Sequence, residues 1–264
     1  MIPTVNVSMI DSFRLRSDDK KTPDLLVCRP LEERGLPHGF SLRARRSGET
    51  SLPYGLPDHV DTDLELLGSR LGVRGLVRMR QVHGTNLIVV PEQQDRASIC
   101  DGLFTSTDGL ALVVQTADCV PLLMWDADQN AVAAVHAGWR GTLERIAERA
   151  VAMFQNKFSS HPESIHVAMG PAIGPCCYEV GTEILQAFTR GFASVEGLFS
   201  SGPRGREHLD LIEANRRQLV DSGISLDRIH TTGLCTSCEN SLLYSYRKEG
   251  KGAGRLYGIV GVAR

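Results

Sequence analysis

Apolar and polar positions change rhythm along this 264-residue chain. Leu143, Ile146, Ala147, Ala150, Val151 and Phe154 recur at helical period and predict an amphipathic helix. Gly138 and Gly141 punctuate its start, and Thr142 is a candidate N-cap. Val60, Leu64, Leu66, Leu67 and Leu71 give residues 59–72 a helical spacing, and a further helix is expected within Val180–Thr189. Asp210 and Glu213 have capping-box spacing ahead of an apolar set, predicting a helix over about residues 210–222.

Between these segments lie short apolar runs that read as strands: Leu25–Val27, Gly39–Leu42, Leu76–Arg80, Leu87–Val90, Leu110–Gln115 and Cys119–Trp125. Ala131–Val135, Ile165–Met169, Ile229–Thr232, Leu242–Tyr246 and Leu256–Val262 continue the series. Strands and helices mix without strict βαβ alternation, so the expected class is α/β with a mixed sheet or sheets, not a doubly wound parallel fold. Residues 1–23 are polar and poorly patterned and read as a loosely held N-terminal arm. Residues 24–264 hold no repeat, low-complexity tract or linker and read as one domain.

Composition narrows the partners. Hydrophobic residues make up 42% and charged residues 23%, enough for a sizeable core. The net charge of −2 supplies no basic field for nucleic acid. Carboxylates surround the local arginine groups (Arg43, Arg45 and Arg46; Arg204 and Arg206), which read as solvated faces. No apolar run is long enough to span a membrane, and charges interrupt any signal-peptide core in the first thirty residues. Seven cysteines, odd in number and unevenly spread, point to a reducing compartment, with the cytoplasm as the expected location. The pattern specifies no oligomeric state.

Three potential metal ligands, His83, Cys119 and His136, stand 36 and 17 positions apart, so no short-range spacing rule groups them. Each lies beside a strand end near glycine or proline. A catalytic zinc takes three protein donors and leaves a fourth position open, which this set would satisfy. On spacing alone, packing or hydrogen bonding is the commoner role for a lone His or Cys in such places, and a Cys119–His136 nucleophile pair is a further alternative. Asp118 is a candidate proton carrier or ligand-orienting group, and Gln81 would share a face with His83. Arg140 precedes the helix expected near Gly141, whose N-terminus could hold a phosphate. Cys235 and Cys238 form a CxxC with no second CxxC to complete a four-thiolate site, and the adjacent Cys176 and Cys177 read as packing residues.

Several segments carry a resemblance: Gln81-Val82-His83-Gly84, Thr116-Ala117-Asp118-Cys119-Val120-Pro121 and His136-Ala137-Gly138-Trp139-Arg140-Gly141-Thr142. Gly170 to Val180, Tyr244-Ser245-Tyr246-Arg247 and Gly254-Arg255 extend it in order to the C-terminal region. Together they resemble the zinc-dependent purine nucleoside phosphorylases, also known as laccase-domain or polyphenol oxidase proteins, which include peptidoglycan editing factor. The resemblance implies a single-domain mixed α-β-β-α sandwich with zinc on the residues matching His83, Cys119 and His136. It also implies a small-molecule substrate: phosphorolysis of adenosine, inosine, guanosine or methylthioadenosine with phosphate, and deamination of adenosine.

Catalytic roles are then expected for Asp118, Cys119 and Arg140, and substrate contacts for Arg43, Gln81 and Arg140. His38-Gly39-Phe40-Ser41-Leu42-Arg43 resembles the family's motif ending in arginine. Arg45-Arg46-Ser47-Gly48 then stands where the family carries a glycine pair and a Ser-Leu-Asn-Leu stretch. The rival functions are a peptidoglycan-precursor editing amidase, a copper polyphenol oxidase and a non-catalytic metal-stabilised binding protein. Copper ranks below zinc, because the chain shows no multicopper ligand cluster.

Overall fold

A computed structural model describes residues 12–16, 25–43, 60–90, 98–202 and 205–262. The chain first forms β1 (Phe13–Arg16), β2 (Leu25–Cys28), α1 (Arg29–Glu32), β3 (His38–Ser41), α2 (Val60–Leu71) and β4 (Gly75–Arg80). β5 (Leu87–Val89), β6 (Ser98–Ile99), β7 (Gly102–Thr105), β8 (Leu110–Thr116), β9 (Val120–Asp126) and β10 (Ala131–Ala137) come after these. Next are α3 (Trp139–Leu143), α4 (Ile146–Phe158), β11 (Ile165–Met169), β12 (Glu179–Val180) and α5 (Thr182–Gly191). β13 (Phe199–Ser201), β14 (Glu207–Leu209), α6 (Leu211–Asp221), β15 (Ile229–Thr231), α7 (Tyr246–Glu249) and β16 (Leu256–Gly261) close the sequence.

One sheet has the order β1-β2-β3-β16-β8-β4-β6 and a second the order β15-β11-β9-β10-β7-β5. Both are mixed: β4 runs parallel to β8 and β6, β5 to β7 and β11 to β15, while the other pairs are antiparallel. A small antiparallel sheet, β12-β14-β13, stands apart in the pairing.

The period-two alternation explains how the layers stack. Leu112 and Val114 of β8 share one apolar cluster with Leu123 and Trp125 of β9 and Val132 and Ala134 of β10, filling the space between the two sheets. The intervening residues face outward. Ala111 and Val113 meet Leu64, Leu67 and Leu71 of α2. Leu122, Met124, Ala133 and Val135 meet Ile146, Ala150 and Phe154 of α4 together with Leu211, Ala214 and Leu219 of α6. The central strands are therefore buried on both faces, and each fully buried Leu, Val or Phe adds about 1.5–3 kcal/mol. A one-residue slip would exchange the two faces of a strand, so packing fixes the register. The result is the expected single-domain helix–sheet–sheet–helix sandwich.

Three local expectations need correction. The apolar stripe from Leu143 to Phe154 spans two helices, because Arg145 adopts a left-handed conformation (φ 63°) that separates α3 from α4. Gly138, not Thr142, occupies the N-cap of α3. Thr142 lies buried inside that short helix, where its hydroxyl accepts a 2.9 Å hydrogen bond from Asn215 Nδ2. No long helix therefore begins at Gly141.

Leu242–Tyr246 forms no strand. Leu243 and Tyr244 are buried from a turn, and Ser245 caps α7 by accepting from the Lys248 N–H. A buried apolar turn and a buried strand share one sequence pattern.

The arm over residues 1–23 is anchored where it is described. β1 pairs with β2, Phe13 is fully buried with its ring 6.3 Å from that of Phe40, and Arg14 forms a two-pronged ion pair with Glu32. One buried phenylalanine among polar neighbours leaves no periodicity to detect. Residues 1–11 and 17–23 of the arm, and Arg45, Arg46 and Arg204, lie outside the described residues.

Candidate metal centre

Three connections carry the chain from the first sheet to the second, and the one from β6 to β7 holds Asp101. Residues 81–86 join β4 to β5, and residues 117–119 join β8 to β9. His83 lies on the β4–β5 connection, Cys119 on the β8–β9 connection, and His136 on β10, paired with Pro121 of β9. Nitrogen from each imidazole and the Cys119 sulphur come within 4.8 Å of one another. The His83 and His136 rings meet edge to face, with centroids 4.7 Å apart.

Asp101, just ahead of β7 and fully buried, organises this meeting. Its Oδ1 lies 2.8 Å from His136 Nδ1 and accepts from the His83 backbone N–H at 2.9 Å. Its Oδ2 accepts from the N–H groups of Gly84 at 2.7 Å and Val82 at 3.3 Å. Three successive N–H groups thus wrap one carboxylate, and His83 takes a left-handed conformation (φ 60°) within the wrap. The Asp101 carbonyl also accepts from the His136 N–H at 2.7 Å. With Nδ1 committed to the carboxylate, His136 keeps Nε2 for the centre.

Gly138 forms a wall of the site. A Cβ there would stand 3.1 Å from Cys119 Sγ and 3.2 Å from His83 Cδ2. Gly141 allows another close approach, since its Cβ would lie 3.0 Å from the Gly84 carbonyl oxygen.

The electrostatics favour a thiolate. Burial pushes the Cys119 thiol up, but hydrogen bonds and charge from His136 and His83 outweigh burial and bring its pKa to about 6. Burial opposes charge on His136 as well, yet Asp101 and Cys119 raise its pKa to about 9. Burial would raise the Asp101 carboxyl, and its bonds to His136, Gly84 and His83 hold it below the usual range instead.

A cavity of about 840 Å³ opens over the cluster. Asp118, Gln81, Tyr178 and Tyr246 line it, as do the guanidinium-bearing residues Arg78, Arg80, Arg247 and Arg255. Asp118 takes an unusual positive φ of 97°, which lets it and the adjacent Cys119 serve one cavity. Its carboxylate accepts 2.6 Å hydrogen bonds from Thr236 Oγ1 and the Arg247 N–H.

Gln81 reaches the cavity while its amide clamps β4 to β8: Nε2 donates to the Gln115 carbonyl at 2.7 Å and Oε1 accepts from the Gln115 N–H at 2.8 Å. Arg43 and Arg140 do not line the cavity. Arg43 pairs with Glu249 at 3.0 Å, donates to the Asn240 carbonyl and stacks on Tyr244. Arg140 is exposed and stacks on Trp139, with its guanidinium carbon 4.3 Å from the ring centroid. The helix it lies in, Trp139–Leu143, has about a turn and a half, and so lacks the extended dipole expected of a phosphate cradle.

Sequence reasoning missed Asp101 altogether and gave no role to Tyr178, Arg247 or Arg255. Asp101 precedes a glycine at a strand start, a context common to many aspartates. Tyr178, Arg247 and Arg255 stood inside the motifs that carried the resemblance, and this was their only available signal. Burial and the nearby Cys119 charge raise the Tyr178 hydroxyl to about 12, so it remains a proton donor at the cavity wall.

Comparison with known proteins agrees with this fold. Residues 52–263 match the family described as multi-copper polyphenol oxidoreductase laccase. A purine nucleoside phosphorylase of Deinococcus radiodurans is 35% identical over 240 residues, covering 87% of this chain and 90% of that protein. The adenosine deaminase RL5, from an unknown prokaryotic organism, is 35% identical over 203 residues, or 72% of this chain and 77% of its own length. The crystal structure of YlmD from Geobacillus stearothermophilus superposes with a TM-score of 0.82 at 29% identity, covering 96% of this chain and all of that one. The hypothetical protein YfiH of Bacillus licheniformis gives the same TM-score and identity over 94% of this chain and 98% of its own.

Proposed function

The chain belongs to the multi-copper polyphenol oxidoreductase laccase family, and from that membership we propose that it is a zinc-dependent purine nucleoside phosphorylase that also deaminates adenosine. The observation that carries this reading is the convergence of His83, Cys119 and His136 at the base of an arginine-lined cavity.

The donor set fits zinc. Two imidazoles and a thiolate suit a borderline-soft divalent ion, and three protein donors leave a coordination position for substrate. A multicopper oxidase requires several copper ions held by many imidazoles. Among the described residues the groups able to hold a metal are this one and a set of four cysteines. When bound, zinc supplies Lewis acidity to the polar atom placed in its open position.

The protein's own groups do the rest. Arg80, Arg247 and Arg255 offer positive charge to the phosphate anion. Tyr178 donates a hydrogen bond from the wall, and Tyr246 presents an aromatic face at the mouth. Asp118, oriented through both carboxylate oxygens, carries the proton to the leaving purine or to the departing amine. The substrate is a small molecule, and the reaction takes place in the cytoplasm.

The test measures metal content and products from adenosine with and without phosphate. Ribose 1-phosphate reports phosphorolysis, whereas inosine with ammonia reports deamination. His83→Ala and Cys119→Ala should abolish both reactions together. Either reaction persisting at the wild-type rate in a metal-free variant would end the shared-site reading.

A further inference from the structure

The four remaining solvent-accessible cysteines meet on the far side of Asp118. Cys176 and Cys177 sit in the turn after β11, and Cys235 and Cys238 in the turn after β15. Their sulphur atoms all lie within 4.8 Å of one another, and Cys238 Sγ stands 3.5 Å from both Cys176 Sγ and Cys177 Sγ. The missing partner of the CxxC is therefore the adjacent pair, brought to it across the fold.

The geometry points to a second metal site in this chain, a structural zinc held by Cys176, Cys177, Cys235 and Cys238. Tetrahedral zinc–thiolate bonds of about 2.3 Å place sulphur atoms roughly 3.8 Å apart, within the spread of this cluster. Disulfide bonding requires about 2.05 Å, far closer than the 3.5 Å contacts.

Backbone hydrogen bonds set the frame before any ion binds. A parallel bridge joins Ala172 to Cys235, the Thr236 N–H donates to the Ala172 carbonyl at 3.0 Å, and the Gly174 N–H points at Cys235 Sγ at 3.3 Å. Donation of N–H groups to a CxxC sulphur stabilises the thiolate that a metal needs. Four thiolates on a dication leave two negative charges, and Lys248, whose Nζ donates to the Ser237 carbonyl at 3.0 Å, lies beside the cluster to offset them.

The place of this cluster gives it a role. Thr236, inside the CxxC, donates to Asp118, and Tyr178, next to Cys177, lines the cavity. The Ile173 N–H donates to the Asp118 carbonyl at 2.9 Å. An ion on the four sulphurs clips these two segments into the wall that positions Asp118. It makes no contact with substrate.

The experiment uses full-length protein purified with reductant and loaded with zinc, with bound metal counted by elemental analysis. Wild type should hold two equivalents, Cys235→Ser/Cys238→Ser one, and Cys119→Ala/His136→Ala one. Cobalt loading of the Cys119→Ala/His136→Ala variant, which keeps all four cysteines, should give the intense ligand-field and thiolate charge-transfer bands of a tetrathiolate. This measurement does not depend on the cysteine variant folding. Failure of the first centre would remove one equivalent and leave the cobalt bands in place. The proposal falls if that variant binds no zinc or if its cobalt spectrum lacks thiolate bands.

Discussion

Asp101 and His136 are locked together by a 2.8 Å contact from carboxylate to ring, and the same carboxylate holds the backbone of His83. One side chain thus orients two of the three donors of the candidate centre. Asp101→Asn should weaken zinc binding by about 10–100-fold, the usual cost of losing a ligand's outer partner. Its amide would confront N–H donors with another donor. Chelator competition measures the affinity, and an unchanged value would remove Asp101 from this role.

Gly138→Ala tests the wall. The added methyl would press on Cys119 and His83 at 3.1 and 3.2 Å, while metal distances tolerate only about 0.2 Å of displacement. We expect affinity about tenfold weaker, or about 1.4 kcal/mol, with far-ultraviolet circular dichroism unchanged. Wild-type affinity would mean the three donors have room to spare.

The arginines should separate by position. Arg80→Ala or Arg255→Ala should raise the KM for phosphate about tenfold, as expected when a charge-assisted hydrogen bond is lost. Arg140→Ala should change it less than about twofold, because that side chain lies outside the cavity on Trp139. The reverse ranking would return the phosphate to Arg140.

Acid should destabilise the fold through histidines held neutral. Burial depresses His38, whose Nε2 accepts from the Cys28 N–H. Burial, aided by Arg228 and Arg34, brings His166 down to about 4. Below about pH 6.5 the unfolded chain binds more protons than the native one, so this stability is present above that pH and is lost as pH falls towards about 4. Urea denaturation of metal-stripped protein should show a loss on the order of 1–2 kcal/mol between pH 7 and pH 5. A constant midpoint would show that neither ring resists protonation.

The sandwich was legible where strands are long and buried on both faces, as in β8, β9 and β10, and where a cap leaves a local signature. Asp210 accepts from the Glu213 N–H at 2.9 Å, as the capping-box spacing predicts. His83, Cys119 and His136 were legible only through motif resemblance, since their proximity is created by two crossings between sheets. Asp101 was not legible, because its partners are 17–35 positions away and depend on a left-handed turn at His83. The meeting of Cys176 and Cys177 with Cys235 and Cys238 was hidden likewise, by about sixty intervening residues. Arg140 misled because the kink at Arg145 splits a continuous apolar stripe into two helices.

His83 and Cys119 sit on straps that pass between the sheets, not within either sheet. Neither half of the sandwich, expressed as a separate fragment, would possess the centre. Ion affinity consequently becomes a gauge of how firmly the halves are closed around the centre, and any breathing there would be felt as faster exchange of the ion.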